Sequence, residues 1–165
     1  MKNRMKFIVL IVLGFLTLSI SAQKDEIYNP NANAKEDIAS AVEKASKEGK
    51  HVFLQIGGNW CPWCLIFHRF LESDKELESF VKENYKVVKV NYDVENKQEE
   101  LLKELGFPQR FGFPVFVVLD VEGNRIHTQN SAFLEKDKSY DRDKVLRFFK
   151  NWSPTSIDPN SYKKK

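Results

Sequence analysis

With only two cysteines, Cys61 and Cys64, this 165-residue chain cannot rest on a disulfide framework. Small exported domains that depend on disulfides carry several pairs. Histidine is scarce as well, at three residues, His51, His68 and His127. Cys61, Cys64 and His68 stand at Cys-x2-Cys-x3-His spacing, but no fourth metal ligand is evident near them, and a closed zinc site needs four. Internal repeats and low-complexity tracts are absent. No apolar run reaches the ~20 residues that span a bilayer; the longest, Phe7 to Leu18, stops short. An excess of one charge is missing too. Lys and Arg number 26 against 23 Asp and Glu, and three of the basic residues fall within the first 22 positions, which hold no acid. Without that segment the charges balance, so the basic footprint of a nucleic-acid binder is not there.

What the first 22 residues do contain has an order. Lys2, Arg4 and Lys6 precede the apolar run, and Ser19, Ser21 and Ala22 follow it. This is the sequence of charge, core and small residues in a secretory signal, with a cut expected after Ala22. An uncleaved anchor is the alternative. No cysteine follows the run, which argues against a lipid anchor. The reading is therefore an exported protein, periplasmic in location. Its parts are a signal peptide over 1–22, an N-terminal arm or linker over 23–33, one domain over 34–153 and a tail over 154–165 ending in three solvated lysines. The part after the leader is long enough to bury a core without staples.

Within the domain the apolar periods alternate. Asn33 with Glu36 makes a capping box, and Ile38, Ala41, Val42 and Ala45 form a helical stripe that Gly49 stops. His51 to Ile56 is almost continuously apolar, as a strand covered on both faces would be. Pro62 opens an apolar helix containing Leu65, Ile66, Phe67, Phe70 and Leu71. Ser73 to Glu76 is a second capping box, before Leu77, Phe80 and Val81. A strand is expected over 87–92, a helix over 96–105 ended by Gly106, and strands over 115–119 and 125–128 about a tight turn. A last helix covers 141–152, stopped by Pro154. The early strands, joined through helices, should be parallel and the late pair antiparallel. The fold class is α/β, a central mixed sheet of about four strands with helices on both faces. The polar stretch 129–140 reads as a loop.

The chemistry sits in Trp60-Cys61-Pro62-Trp63-Cys64. A loop this short adds little as a staple, since the entropy removed from the unfolded chain grows with loop length. A vicinal pair that closes and reopens, holding or releasing two electrons, is the better reading.

The Trp-Cys-x-x-Cys after a first central strand, together with Phe113-Pro114 opening a later one, resembles the thioredoxin superfamily. The resemblance runs from about Lys35 to Trp152 and is nearest to the short exported thioredoxin-like proteins of bacteria. It implies a thioredoxin-like fold and a redox-active Cys61–Cys64 disulfide. Cys61, at the N-terminus of the Pro62 helix, would be the nucleophile, since the free N–H groups and dipole there favour a thiolate. Cys64, one turn deeper, would resolve the mixed disulfide. Pro114 takes the place of the family's cis-proline, leaving the backbone of Phe113 to pair with an extended client. Trp60 is expected to pack against the fold. Trp63 is expected to be partly exposed, either plainly so or as an apolar platform with Phe111 and Phe113. His68, Glu72 and Arg110 read as boundary or solvated side chains.

One position departs from the family. Six residues before the nucleophile, where thioredoxins carry a buried acid, this chain has Gln55. A neutral amide cannot take a proton from the resolving cysteine, and it removes a negative charge that would oppose a Cys61 thiolate. Pro62-Trp63 between the cysteines matches neither the Gly-Pro of reducing thioredoxins nor the Gly-His of disulfide isomerases. The function expected is an exported thiol–disulfide oxidoreductase acting on protein thiols, with reduction preferred to oxidation. No cofactor or metal is needed, a membrane protein is the expected electron donor, and the chain is read as a monomer. The alternative is a client-binding module whose disulfide never cycles.

Overall fold

The structure is a computed structural model, and it describes residues 26–163. The leader expected over 1–22, its cut site and the last two lysines lie outside those residues. Helix α1 (Ala34–Glu48) starts where the Asn33 side chain accepts the N–H of Glu36, and stops where Gly49 turns left-handed at φ 63°. Strand β1 (His51–Gly57) follows and is buried along its whole length. Next come α2 (Pro62–Ser73), α3 (Lys75–Asn84), β2 (Tyr85–Asn91) and α4 (Glu99–Glu104). The second half runs through β3 (Val115–Leu119), β4 (Arg125–Asn130), the two-residue strands β5 (Glu135–Lys136) and β6 (Ser139–Tyr140), α5 (Arg142–Asn151) and α6 (Pro154–Ile157).

The main sheet has the order β2-β1-β3-β4, with β1 parallel to β2 and antiparallel to β3, and β3 antiparallel to β4. Because side chains alternate across a strand, β1 feeds two cores. Val52, Leu54 and Ile56 meet α1 and α4 through Ala41, Ala45, Leu101 and Leu102. Phe53 points to the other face, into Phe67 of α2, Phe116 of β3 and Phe149 of α5. That aromatic core ties α2 rigidly to the sheet, and α2 carries the cysteines.

Several boundaries differ from expectation for local reasons. Asp74, not Ser73, caps α3 by accepting the N–H of Leu77. Here α2 continues through Ser73, whose hydroxyl is spent on the Phe70 carbonyl. Helix α4 begins at Glu99 rather than at 96, because the Asp93 carboxylate collects the N–H groups of Glu95 and Asn96 in a turn. Residues 129–140 are more than a loop: β4 runs on to Asn130, and the β5–β6 hairpin sets the Tyr140 ring against Trp63 and Phe67. Pro154 starts α6 rather than simply ending the helix before it. Of the two readings of residues 23–33, linker or docked arm, the structure shows the second over its described part: the arm is docked at Tyr28, which is 1% exposed.

Candidate redox site

Cys61 and Cys64 are joined as a disulfide at the start of α2, just past the C-terminal end of β1. Pro62 occupies the first turn, where its missing N–H costs nothing. Cys61 is the N-cap, and its sulfur accepts the Cys64 N–H at 3.2 Å. No acidic residue lies in the first turn of α2, so nothing there opposes the positive end of the helix dipole. Cys64 is fully buried and Cys61 is 3% exposed.

Gly57, the last residue of β1, lets the disulfide approach the sheet. A Cβ there would lie 2.3 Å from Cys64 Sγ and 3.0 Å from the Tyr28 hydroxyl. The Phe113–Pro114 bond is cis. Since β3 begins at Val115, Phe113 stands outside the ladder, packed against the cysteine cluster.

Gln55 is buried and every polar atom of its amide is engaged. Its Nε2 donates to the Tyr28 hydroxyl at 2.8 Å and to the Cys64 carbonyl at 3.1 Å, while Oε1 accepts from Lys89 Nζ at 2.7 Å. Gln55 and Lys89 are paired across β1 and β2. Burial pushes the Lys89 ammonium down to about 8, with the Glu72 carboxylate partly opposing. Lys89 and Tyr28 are the site residues that sequence reading missed. The register of the two strands, with Lys89 opposite Gln55, would have been the signal for the first; nothing local marks Tyr28.

The lysine has a measurable consequence. Its charged form is disfavoured in the fold, so between about pH 8 and the ordinary lysine range near ~10.4 the unfolded chain holds more protons. Stability therefore rises with pH across that window. Urea unfolding at the two ends should show a gain on the order of 1 kcal/mol or more that the Lys89→Met protein does not share. Parallel profiles for the two proteins would show that the lysine is not held as described.

Trp63 takes the partly exposed place expected of it, whereas Trp60, expected to pack against the fold, is open to solvent on one side. Trp60 is 52% exposed, donating from Nε1 to the Tyr92 carbonyl at 2.7 Å with its ring edge-on to Phe113. Trp63 is only partly exposed, because the hairpin brings Tyr140 onto it at 5.5 Å and the Tyr140 hydroxyl donates to its carbonyl. The exposed apolar surface beside Cys61 consequently lies on the Trp60 side. Trp60, Tyr92, Asp93 and Val94 line a hollow of about 430 Å³, and Phe107 and Phe111 are exposed as well. Arg110 is not simply solvated: it donates to the carbonyls of Gly106 and Phe107 and lies over the Phe111 ring. His68 pairs with Glu72 at 3.4 Å. His51 and His127 gather at Trp152, near the other end of β1 from the cysteines.

A disulfide across the first turn of a helix, set on a four-stranded mixed sheet and facing an X-Pro turn, defines a thioredoxin-fold dithiol site. The chain belongs to the thioredoxin-like family, whose profile matches residues 33–121. A disulphide isomerase from Xylella fastidiosa Temecula1 superposes with a TM-score of 0.68 at 22% identity, over 77% of this chain and 96% of that one. A thioredoxin from Thermus thermophilus gives 0.51 at 22% identity, over 68% and 81%. A thioredoxin-fold protein from Helicobacter pylori gives 0.50 at 20%, over 75% and 86%. At these identities the likeness is one of fold. No curated protein matches the chain.

Proposed function

We propose that the protein is an exported thiol–disulfide oxidoreductase that reduces disulfides in other proteins, working in the periplasm with electrons supplied by a membrane partner. The observation that carries this reading is the Cys61–Cys64 disulfide, with the Cys61 sulfur at the N-terminus of α2 and accepting the Cys64 N–H. The helix terminus favours a Cys61 thiolate, and the exposed aromatic surface around Trp60 offers apolar contact to a client. The leader supports export.

Reduction of insulin by dithiothreitol should be accelerated by the protein, and a protein without turnover would sink the enzymatic reading. Equilibration with glutathione decides direction. A potential near about −270 mV fits a reductase, whereas one near about −120 mV would reverse the proposed electron flow. A second reading, a client-binding module with a closed disulfide, is favoured by the 3% exposure of Cys61. It predicts client binding without turnover in the same assay.

A further inference from the structure

Tyr28 comes from the N-terminal arm, five residues before the stretch that matches the family profile. Its backbone is clipped to the loop that leads into the cysteines. The Tyr28 N–H donates to Asn59 Oδ1 at 3.0 Å, and Asn59 Nδ2 donates back to the Tyr28 carbonyl at 2.8 Å. The ring packs directly on Cys61 and Cys64 as one small buried cluster.

The orientation of the hydroxyl follows from its neighbours. An ammonium only donates, so Lys89 fixes Oε1 of Gln55 toward itself. The amide nitrogen must then face Tyr28 and the Cys64 carbonyl, and the Tyr28 oxygen accepts. The phenolic hydrogen is left to point elsewhere, and among the described residues it meets no nitrogen or oxygen acceptor. Tyr28 Oη and Cys64 Sγ both border the space left by the missing Cβ of Gly57, each within 3.0 Å of where that atom would stand. Burial holds the phenol far above its ordinary value, so it stays a donor over the working pH range.

We propose that the Tyr28 hydroxyl is the hydrogen-bond donor to Cys64 sulfur when the disulfide opens, stabilising the resolving thiolate where no carboxylate is present to help. The inference rests on the oxidoreductase reading for its role in turnover. In the resolving step the Cys64 thiol releases its proton to water. Its thiolate then attacks Cys61 Sγ, the Cys61–Cys64 bond forms, and the bond from Cys61 to the client sulfur breaks. The client leaves with the electron pair as a thiolate and takes a proton from solvent. Tyr28 keeps its own proton throughout. Gln55 and Lys89 are positioning residues, acting by holding the phenol in the donating sense. The charged or titratable groups around this chain are Lys89 on β2, Glu72 on α2 and Tyr140 on β6.

The test is the thiolate absorbance titration of Cys64 in the Cys61→Ala protein, where it is the lone thiol. Adding Tyr28→Phe, which keeps the ring, should raise the midpoint by about one pH unit, the scale expected when a buried thiolate loses a hydrogen bond. Placing 2,3-difluorotyrosine at position 28 makes the phenol a stronger donor in the same shape and should lower the midpoint. That second arm also serves if the phenylalanine protein does not fold. In the otherwise unmodified protein, Tyr28→Phe should slow resolution of a preformed mixed disulfide about tenfold near neutral pH. Midpoints that coincide in all three proteins overturn the proposal. Because the titration needs no client, a protein inert toward insulin that still shows both shifts sinks the oxidoreductase reading alone. Turnover with unmoved midpoints sinks the Tyr28 role alone.

Discussion

Cys61→Ala is expected to abolish insulin reduction, by at least about a thousandfold, whereas Cys64→Ala is expected to halt the protein as a covalent adduct with its client. The two sulfurs are three residues apart yet differ in setting. Cys61 caps α2 and already accepts a backbone N–H, so a negative charge on its sulfur meets an N–H and the helix terminus. Cys64 is fully buried one turn further in, where burial disfavours its thiolate. Under the proposed function, attack on a client disulfide falls to Cys61, and removing it leaves a thiol that faces no client. Removing Cys64 preserves attack but leaves nothing to displace the client. Mass spectrometry of each variant after exposure to oxidised client checks this: the Cys64→Ala protein should carry the adduct and the Cys61→Ala protein should not. The opposite pattern would exchange the two roles.

Much of this arrangement was legible because local rules and the fold agree. Asn33 and Gly49 mark the ends of α1 by cap chemistry alone, and Pro62 marks the start of α2. The unbroken apolar run of β1 announces a strand buried on both faces, from which a central, partly parallel position follows. The relative exposure of Trp60 and Trp63 is not legible. Which of them is covered depends on the β5–β6 hairpin, eighty residues away, and a polar stretch of that length carries no periodicity to announce Tyr140. Tyr28 was hidden for a similar reason. Polar neighbours and an Asn-Pro pair leave linker and docked arm equally open, while the docking is decided by Asn59 and by a gap that only a glycine at 57 leaves open. Gln55 stands out as a departure by its position, but its meaning depends on Lys89 opposite it on β2. The amide is the hub between Lys89, Tyr28 and the carbonyl of Cys64, and no single stretch of sequence contains all of them.

Gly57→Ala is expected to destabilise the oxidised form by about 3 kcal/mol or more. The added Cβ would sit 2.3 Å from Cys64 Sγ, far inside the ~3.5–4.0 Å of an ordinary nonbonded contact. Neither side can yield cheaply. The sulfur is bonded to Cys61 and rides on α2, which Phe67 locks into the aromatic core. The glycine backbone pairs with Asn91 in the parallel ladder, and its carbonyl accepts the Tyr92 N–H at 2.6 Å. A double-mutant cycle separates this clash from a general dislike of alanine at a strand end. Cys64→Ala deletes the sulfur and leaves only the residue's Cβ at 3.5 Å, an ordinary contact, with the Tyr28 hydroxyl at 3.0 Å as the remaining crowding. In that background the same Gly57→Ala change should cost about 1 kcal/mol, so the two substitutions should show a coupling of about 2 kcal/mol in urea unfolding. Equal costs in both backgrounds would mean that the disulfide does not press on β1. The close approach that places Cys64 beside Gln55 and Tyr28 would then be wrong.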